Sequence, residues 1–101
     1  MSDEFKKFLK EFPEPGKAYL ELFKSVMARP ALDAKTKQLI LIGVMTAQNY
    51  PQGVRAHVPQ ALAAGATREE IMEAVLTPLP VSGINGILEC LPVVLELTAQ
   101  D

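Results

Sequence analysis

The stretch LDAKTKQLILIGVMTAQNYPQGVRAHVPQALAAGATREEIMEAVL, residues 32–76, decides the fold because it holds the start and stop signals of three successive helices. Asp33 is placed to cap the first of them, whose polar start DAKTKQ leads into the apolar run LILIGVMTA. A helix that is apolar on every side is a buried one. The run therefore predicts a central helix with neighbours on several faces.

The second helix of the stretch is bounded by a proline and a glycine. Pro51 suits a first helical turn, with Asn49 or Tyr50 as the cap. Gly65 suits the left-handed residue that commonly ends a helix. A helix is therefore expected between these two punctuating residues.

The remainder of the chain toward its end carries two further helix signals. Thr67 and Glu70 have the spacing of a capping box, so a helix is expected to start there and to be broken by TPLP. The last segment, VSGINGILECLPVVLEL, reads as a helix with Gly83 and Gly86 near its start as helix-contact residues. A kink is expected at Pro92, because a proline ring clashes with the carbonyl four residues back.

Two helices are expected before the deciding stretch. The first is an amphipathic arm over residues 1–14, whose apolar side chains fall at helical spacing: Phe5, Phe8, Leu9 and Phe12. The second begins around Pro15 and is expected to bury a stripe of apolar side chains: Tyr19, Leu22, Phe23, Val26 and Met27.

No stretch alternates with period two, and no repeat or linker interrupts the chain. The prediction is therefore an all-α, single-domain helical bundle of about five or six helices that spans residues 1–101.

The composition narrows the classes of partner. Hydrophobic residues make up 49% of the chain, which is more apolar surface than a small monomer easily hides, so a homo-oligomer is expected. The net charge of −2 comes without a basic stripe, which argues against nucleic acid. The longest apolar run is about half of the roughly 20 residues that span a bilayer, and no signal segment is seen. A cytoplasmic location without a membrane partner is therefore expected.

Several motifs of the stretch resemble the carboxymuconolactone decarboxylase and alkyl hydroperoxidase D-like family. They are the helix start LDAKTKQLI, a histidine followed by VPQAL, the segment AGATREEI, and a final glycine-containing helix. The resemblance covers roughly half of the chain. It implies an alkyl hydroperoxidase D-like all-α bundle that assembles into trimers or hexamers.

The family's thiol peroxidase branch carries a Glu followed by Cys-x-x-Cys-x-x-x-His. That motif places its histidine on His57, its two cysteines on Tyr50 and Gly53, and its glutamate on Gln38. Both thiols are missing, so peroxide reduction by that route is not expected. The decarboxylase branch also lacks the cysteine pair but keeps the acid, whereas a Gln hydrogen-bonds and takes no proton at ordinary pH.

Tyr50, Gly53 and His57 fall on one side of a continuous helix, which makes a possible pocket wall. Gly53 leaves room for a ligand beside the helix N-terminus, where free amides favour a small anion such as a carboxylate. His57 is then a general acid or base, Tyr50 a hydrogen-bond donor, and Gln38 their partner on the preceding helix. The hypothesis is a cofactor-free site for a small carboxylate or lactone that decarboxylates or isomerises it.

Each of these residues also has a purely structural interpretation. The His57 imidazole is able simply to bond to Gln38 or to a carbonyl, and Gly53 is equally suited to close helix packing. A non-enzymatic oligomeric scaffold or binding protein with a vestigial site is therefore the competing hypothesis. A third is hydroperoxidase activity by another route, which a Cys90→Ser variant tests.

The other polar candidates point away from a second site. Arg55 lies about 160° around the helix from His57, so a surface or intersubunit salt bridge is expected of it. Cys90 is the only cysteine, in an apolar segment, and is expected to be inert packing. One histidine with scattered carboxylates makes no recognisable metal set, and nothing calls for a cofactor.

Overall fold

A computed structural model describes residues 2–99 of the chain. Within that range every regular element is an α-helix, so the predicted all-α class is confirmed. Six helices have nine residues or more, and a seventh is a single short turn. They are α1 (Asp3–Glu11), α2 (Pro13–Met27), α3 (Ala34–Ala47), α4 (Pro51–Ala63), α5 (Arg68–Leu76), α6 (Leu79–Ser82) and α7 (Asn85–Leu97).

The contacts divide the chain after Asp33 into two compact units. The first holds α1 and α2, and the second holds α3 to α7. The predicted end of the N-terminal arm at residue 14 stays a prediction. The first compact unit is longer than that arm and includes α2.

The first unit is a pair of helices joined at Phe12. The Ser2 hydroxyl caps α1 by accepting the amide of Phe5 at 3.1 Å. Close packing within the pair is set by Gly16, where a Cβ atom would lie 2.6 Å from Leu9 Cδ2. The Phe5 and Tyr19 rings also meet, with centroids 5.5 Å apart.

The burial predicted for α2 is wrong for much of its stripe. Tyr19, Leu22 and Val26 each keep more than half of their surface exposed, while Phe23 and Met27 are intermediate. The helix also begins at Pro13 rather than around Pro15, since the first proline of PEP already occupies the first turn. The apolar periodicity of α2 is real, but the other helix of its own unit does not bury most of this face.

The second unit closes around a core of aliphatic side chains. α3 packs against α4, α5 and α7, and α4 also packs against α7. The largest side chains that are fully buried there come from every long helix of the unit: Ile42, Val54, Val58, Ile71, Val75 and Val94.

The residues predicted to start and end helices between α3 and α5 lie at the observed helix ends. Asp33 directly precedes α3, and Tyr50 is the residue before α4, with Pro51 in its first position. Gly65 has a φ of 97°, the left-handed conformation that suits glycine. Thr67 and Glu70 form both hydrogen bonds of the capping box.

Two glycines near the start of α7 have different roles. Gly86 is a contact residue, because a Cβ atom there would lie 1.8 Å from the carbonyl oxygen of Thr46. Gly83, also predicted to be a contact residue, instead ends α6 with a φ of 79° and has open space where a Cβ would point. Its backbone conformation, not packing, is what suits glycine there. α7 continues through Pro92, and the kink predicted there stays a prediction.

The prediction that α3 has neighbours on several faces is confirmed, since it packs against α4, α5 and α7, but the expectation of burial all round is wrong for its outer side. Gln38, Ile42 and Thr46 are buried, but Ile40 is 47% exposed and Val44 is 48% exposed. Within the second unit, other helices cover α3 on one side, and an apolar surface is left on the other.

Candidate functional site

The centre of the candidate site is a contact between α3 and α4. Gln38 lies in the second turn of α3 and is buried, while His57 lies in the second turn of α4 and is partly buried. Nδ1 of His57 is 2.8 Å from Oε1 of Gln38. Because an amide oxygen only accepts hydrogen bonds, Nδ1 is the donor, and the neutral imidazole carries its lone pair on Nε2.

The second polar group of Gln38 faces Gln60, one turn along α4 from His57. Nε2 of Gln38 donates to Oε1 of Gln60 over a long 3.5 Å. In this orientation of the Gln38 amide, Oε1 faces the imidazole and Nε2 faces Gln60. Gln60 is not among the site residues predicted from the sequence, although its position three residues after His57 on the same helix was an available signal.

Burial holds the pKa of His57 below its ordinary value. Desolvation disfavours the charged imidazolium, and the group at Nδ1 is an uncharged amide in place of the carboxylate that stabilises a cation. At neutral pH the side chain is therefore a neutral base whose orientation is fixed through Nδ1.

The space beside Gly53 is filled by protein. A Cβ atom on Gly53 would lie 2.6 Å from two carbons of the Tyr50 ring and 2.8 Å from Sδ of Met45. The packing interpretation of this glycine therefore describes the structure, and a ligand has room there only if the Tyr50 ring moves. Tyr50 as a whole residue is 40% exposed.

The four predicted site residues are joined as two pairs. One pair is His57 with Gln38, through a hydrogen bond, and the other is Tyr50 with Gly53, through ring packing. All but Gln38 sit on the first turns of α4 or directly before it, as their spacing predicted.

The salt bridge predicted for Arg55 is present at the protein surface. Its Nη2 lies 2.6 Å from Oε2 of Glu96, and both side chains are half exposed or more. Glu96 raises the pKa of Arg55, and Arg55 lowers the pKa of Glu96. The ion pair joins α4 to α7 and leaves Arg55 engaged away from His57.

Cys90 is fully buried in α7. Burial raises the pKa of its thiol, although the Thr46 side chain and the backbone at Tyr50 hydrogen-bond to it. A buried thiol with a raised pKa is a poor thiolate nucleophile, which agrees with the packing role expected from the sequence.

Residues 2–99 contain no group of three or more His, Cys, Asp or Glu side chains placed to hold a metal ion. In the same range, no helix combines the length and apolar character needed to cross a bilayer.

Comparison with known proteins confirms the resemblance seen in the motifs. A sequence model of the carboxymuconolactone decarboxylase family matches residues 13–96. No solved structure matches the chain significantly.

Two curated relatives come from Paracoccus denitrificans. "Uncharacterized protein 4 in cox locus" is 47% identical over 58 residues, 57% of this chain and 52% of the relative. "Uncharacterized 15.0 kDa protein in nqo9-nqo10 intergenic region" is 37% identical over 82 residues, 78% of this chain and 60% of the relative. The chain thus spans little more than half the length of the curated relatives that it matches.

Proposed function

Because the chain belongs to the carboxymuconolactone decarboxylase family, we propose that it binds a small carboxylic acid or lactone and transfers a proton on it through His57. The observation that carries the proposal is the 2.8 Å hydrogen bond between His57 and Gln38. A histidine held through one ring nitrogen presents the other in a fixed direction, which is the arrangement of a general base.

The neutral state of His57 decides which chemistry suits it at neutral pH. On a substrate with a C=C conjugated to the new enolate, a neutral Nε2 accepts a proton from the carbon next to the carbonyl, and the imidazolium then returns that proton to the far carbon of the resulting dienolate. The electron pair of the broken C–H bond stays on the substrate throughout, so this isomerisation needs no cofactor.

Decarboxylation at the same site starts from the other protonation state. The carboxylate leaves as carbon dioxide, its bonding electrons remain on the substrate carbon, and a protonated His57 supplies the proton that carbon needs. Because burial lowers the pKa of His57, this form is populated on the acid side of neutrality. The pH dependence of the rate therefore separates the two reactions.

The first turn of α4 supplies the anchor for the acid group. The Gln52 and Gly53 amides of this turn and the helix dipole favour a carboxylate there, one turn from His57. The Tyr50 ring covers this turn at Gly53, so substrate entry requires the ring to swing outward.

The experiment is a screen of small carboxylates and lactones by thermal shift and by turnover, on the wild type and His57→Gln. A compound that binds the native state raises the melting temperature, and loss of a general base lowers the rate by about a hundredfold or more. Gln48→Ala, at an exposed turn position after α3, is the control and keeps both signals. Equal turnover by His57→Gln and the wild type would overturn the proposal.

A second candidate is a non-enzymatic oligomeric scaffold, favoured by the filled space beside Gly53. In this case the Tyr50 ring is permanent packing and His57 is a satisfied structural residue. The Tyr50→Ala variant opens the space without touching His57. Absence of a thermal shift in both the wild type and Tyr50→Ala supports the scaffold, and a ligand that stabilises either protein counts against it.

A further inference from the structure

Three polar side chains form a hydrogen-bonded row across the contact between α3 and α4. His57 and Gln60 lie three residues apart on α4 and therefore on the same side of that helix. Gln38 of α3 lies between them, with Oε1 2.8 Å from Nδ1 of His57 and Nε2 3.5 Å from Oε1 of Gln60. We call these three side chains the polar row. Gln60 has no part in the proton transfer proposed above for His57.

The two amides of the polar row differ in their access to water. Gln38 is only 6% exposed, whereas Gln60 is an exposed residue. A buried amide needs protein partners for both its oxygen and its nitrogen. An exposed amide turns over at little cost, because water donates or accepts in either orientation. Gln60 is therefore free to present either end of its amide, and the buried amide of Gln38 has to match it.

The polar row is complete in two arrangements. In the observed one, Gln60 presents its oxygen to Nε2 of Gln38, and Oε1 of Gln38 accepts the proton on Nδ1 of His57. In the other, Gln60 presents its nitrogen, so the Gln38 amide turns over and donates to a bare Nδ1. The proton of the neutral imidazole then lies on Nε2. Each orientation of the Gln60 amide thus corresponds to one tautomer of His57.

We infer that Gln60 is a positioning residue, which selects the tautomer of His57 through the amide of Gln38. The catalytic meaning of this inference rests on the proposed function. The tautomer with its proton on Nδ1 has the Nε2 lone pair that accepts a proton from the substrate, and the other tautomer does not. The tautomer itself is a property of the protein alone, so it is measured without a substrate.

Two substitutions at position 60 impose the two arrangements. A glutamate has the shape of glutamine but only accepts hydrogen bonds, so Gln60→Glu keeps Nε2 of Gln38 facing α4. A lysine ammonium only donates, so Gln60→Lys draws the oxygen of Gln38 toward position 60 and turns its nitrogen toward His57. Because position 60 is exposed, both variants are expected to keep the wild-type circular dichroism spectrum.

The test is nitrogen NMR of the imidazole in the full chain at about pH 8, where a histidine with a lowered pKa is neutral. The wild type and Gln60→Glu are expected to carry the proton mainly on Nδ1. Gln60→Lys loses one hydrogen bond of this arrangement and gains a charge-assisted one in the other. The ratio of the two tautomers is therefore expected to reverse, from about 10:1 to about 1:10. A Gln60→Lys protein that keeps the proton on Nδ1 overturns the inference, as does a Gln60→Glu protein that carries it on Nε2.

Matched substitutions at Gln48 control for the added charge. Gln48 is exposed in the turn between α3 and α4 and lies outside the polar row. Gln48→Lys and Gln48→Glu are expected to keep the wild-type tautomer, because neither changes a hydrogen-bond partner of Gln38. A Gln48→Lys protein that changes the tautomer as Gln60→Lys does would show a general effect of charge and overturn the inference.

Turnover separates the failure of this inference from the failure of the proposed function. With a compound that the wild type converts, Gln60→Lys is expected to lower kcat about tenfold with little change in KM, because the active tautomer becomes the minor one. Gln60→Glu is expected to restore the wild-type rate. A reversed tautomer in a protein that converts no compound supports the role of Gln60 and counts against the proposed function. Turnover by the wild type with an unchanged tautomer in Gln60→Lys overturns the role of Gln60 alone.

Discussion

The inner and outer faces of α3 differ in a way opposite to what their side chains suggest. The buried inner face includes two polar residues, Gln38 and Thr46, whereas the exposed outer face presents Ile40 and Val44. The inner polar groups are satisfied, Gln38 by His57 and Thr46 by the Ile42 carbonyl at 2.8 Å. The polar groups of the inner face are therefore satisfied inside the protein, whereas the outer face leaves apolar side chains exposed.

The largest effect on the free energy of unfolding is expected when the same truncation, isoleucine to alanine, is made on each face of α3. Ile42→Ala is expected to lower the free energy of unfolding by about 2–5 kcal/mol, because Ile42 is fully buried and its truncation leaves a cavity. Ile40→Ala is expected to cost about 1 kcal/mol or less in dilute protein, because nearly half of that side chain already meets water. Denaturant titration of both variants checks the comparison, and equal losses would contradict it.

The next effect concerns the end of the inner face, where α7 approaches the Thr46 carbonyl. Gly86→Ala is expected to destabilise the protein by about 3 kcal/mol, since the new Cβ meets a backbone oxygen that moves only with its helix. Gly43→Ala is the control, because its Cβ would lie 3.2 Å from the Ala74 carbonyl and needs only a small adjustment. Its gain in helix propensity offsets that strain to within about 1 kcal/mol. Thermal unfolding of the two variants is the measurement, and similar melting temperatures would refute it.

A smaller effect tests the role of Gln38 on the inner face. Gln38→Glu places a carboxylate beside Nδ1 of His57, which stabilises the imidazolium and raises the pKa of His57 by about one unit or more. Gln48→Glu adds the same charge at an exposed turn position and is expected to leave that pKa unchanged. Because the chain has a single histidine, its ring protons report the titration directly by NMR. An unchanged pKa in Gln38→Glu would show that the two side chains are apart in solution.

The smallest effect is expected at the ion pair between Arg55 and Glu96. Exposed pairs gain little because water screens them and two long side chains lose freedom. Arg55→Ala is expected to leave the melting temperature and any turnover unchanged within error. A clear loss of turnover would place Arg55 in the functional site and contradict its assignment to a surface ion pair alone.

Most helix boundaries of the second unit follow from short-range chemistry that a sequence displays. Pro51, Gly65 and the Thr67–Glu70 box act within one turn of the backbone, so their positions were predictable. The hydrogen bond between His57 and Gln38 was also predictable, because it requires only that α3 and α4 lie side by side.

Burial was less predictable, because an apolar pattern shows which side of a helix is apolar and not which other element packs against it. That is why the exposure of Leu22 on α2 and of Val44 on α3 differs from the expectation. The filled space at Gly53 depends on the direction of the Tyr50 ring, and the contact of Gln60 depends on how α3 and α4 pack. Residue spacing places Gln60 one turn from His57, but it does not show either of these two contacts.

The most direct test of the account is an NMR titration of His57 in the wild-type chain, with the nitrogen shifts used to assign the tautomer. The account predicts a pKa below about 6.5 and a neutral form protonated on Nδ1, because burial and the Gln38 oxygen favour both. A pKa at or above that value, or a proton on Nε2, would contradict the neutral, oriented base on which the proposed function depends.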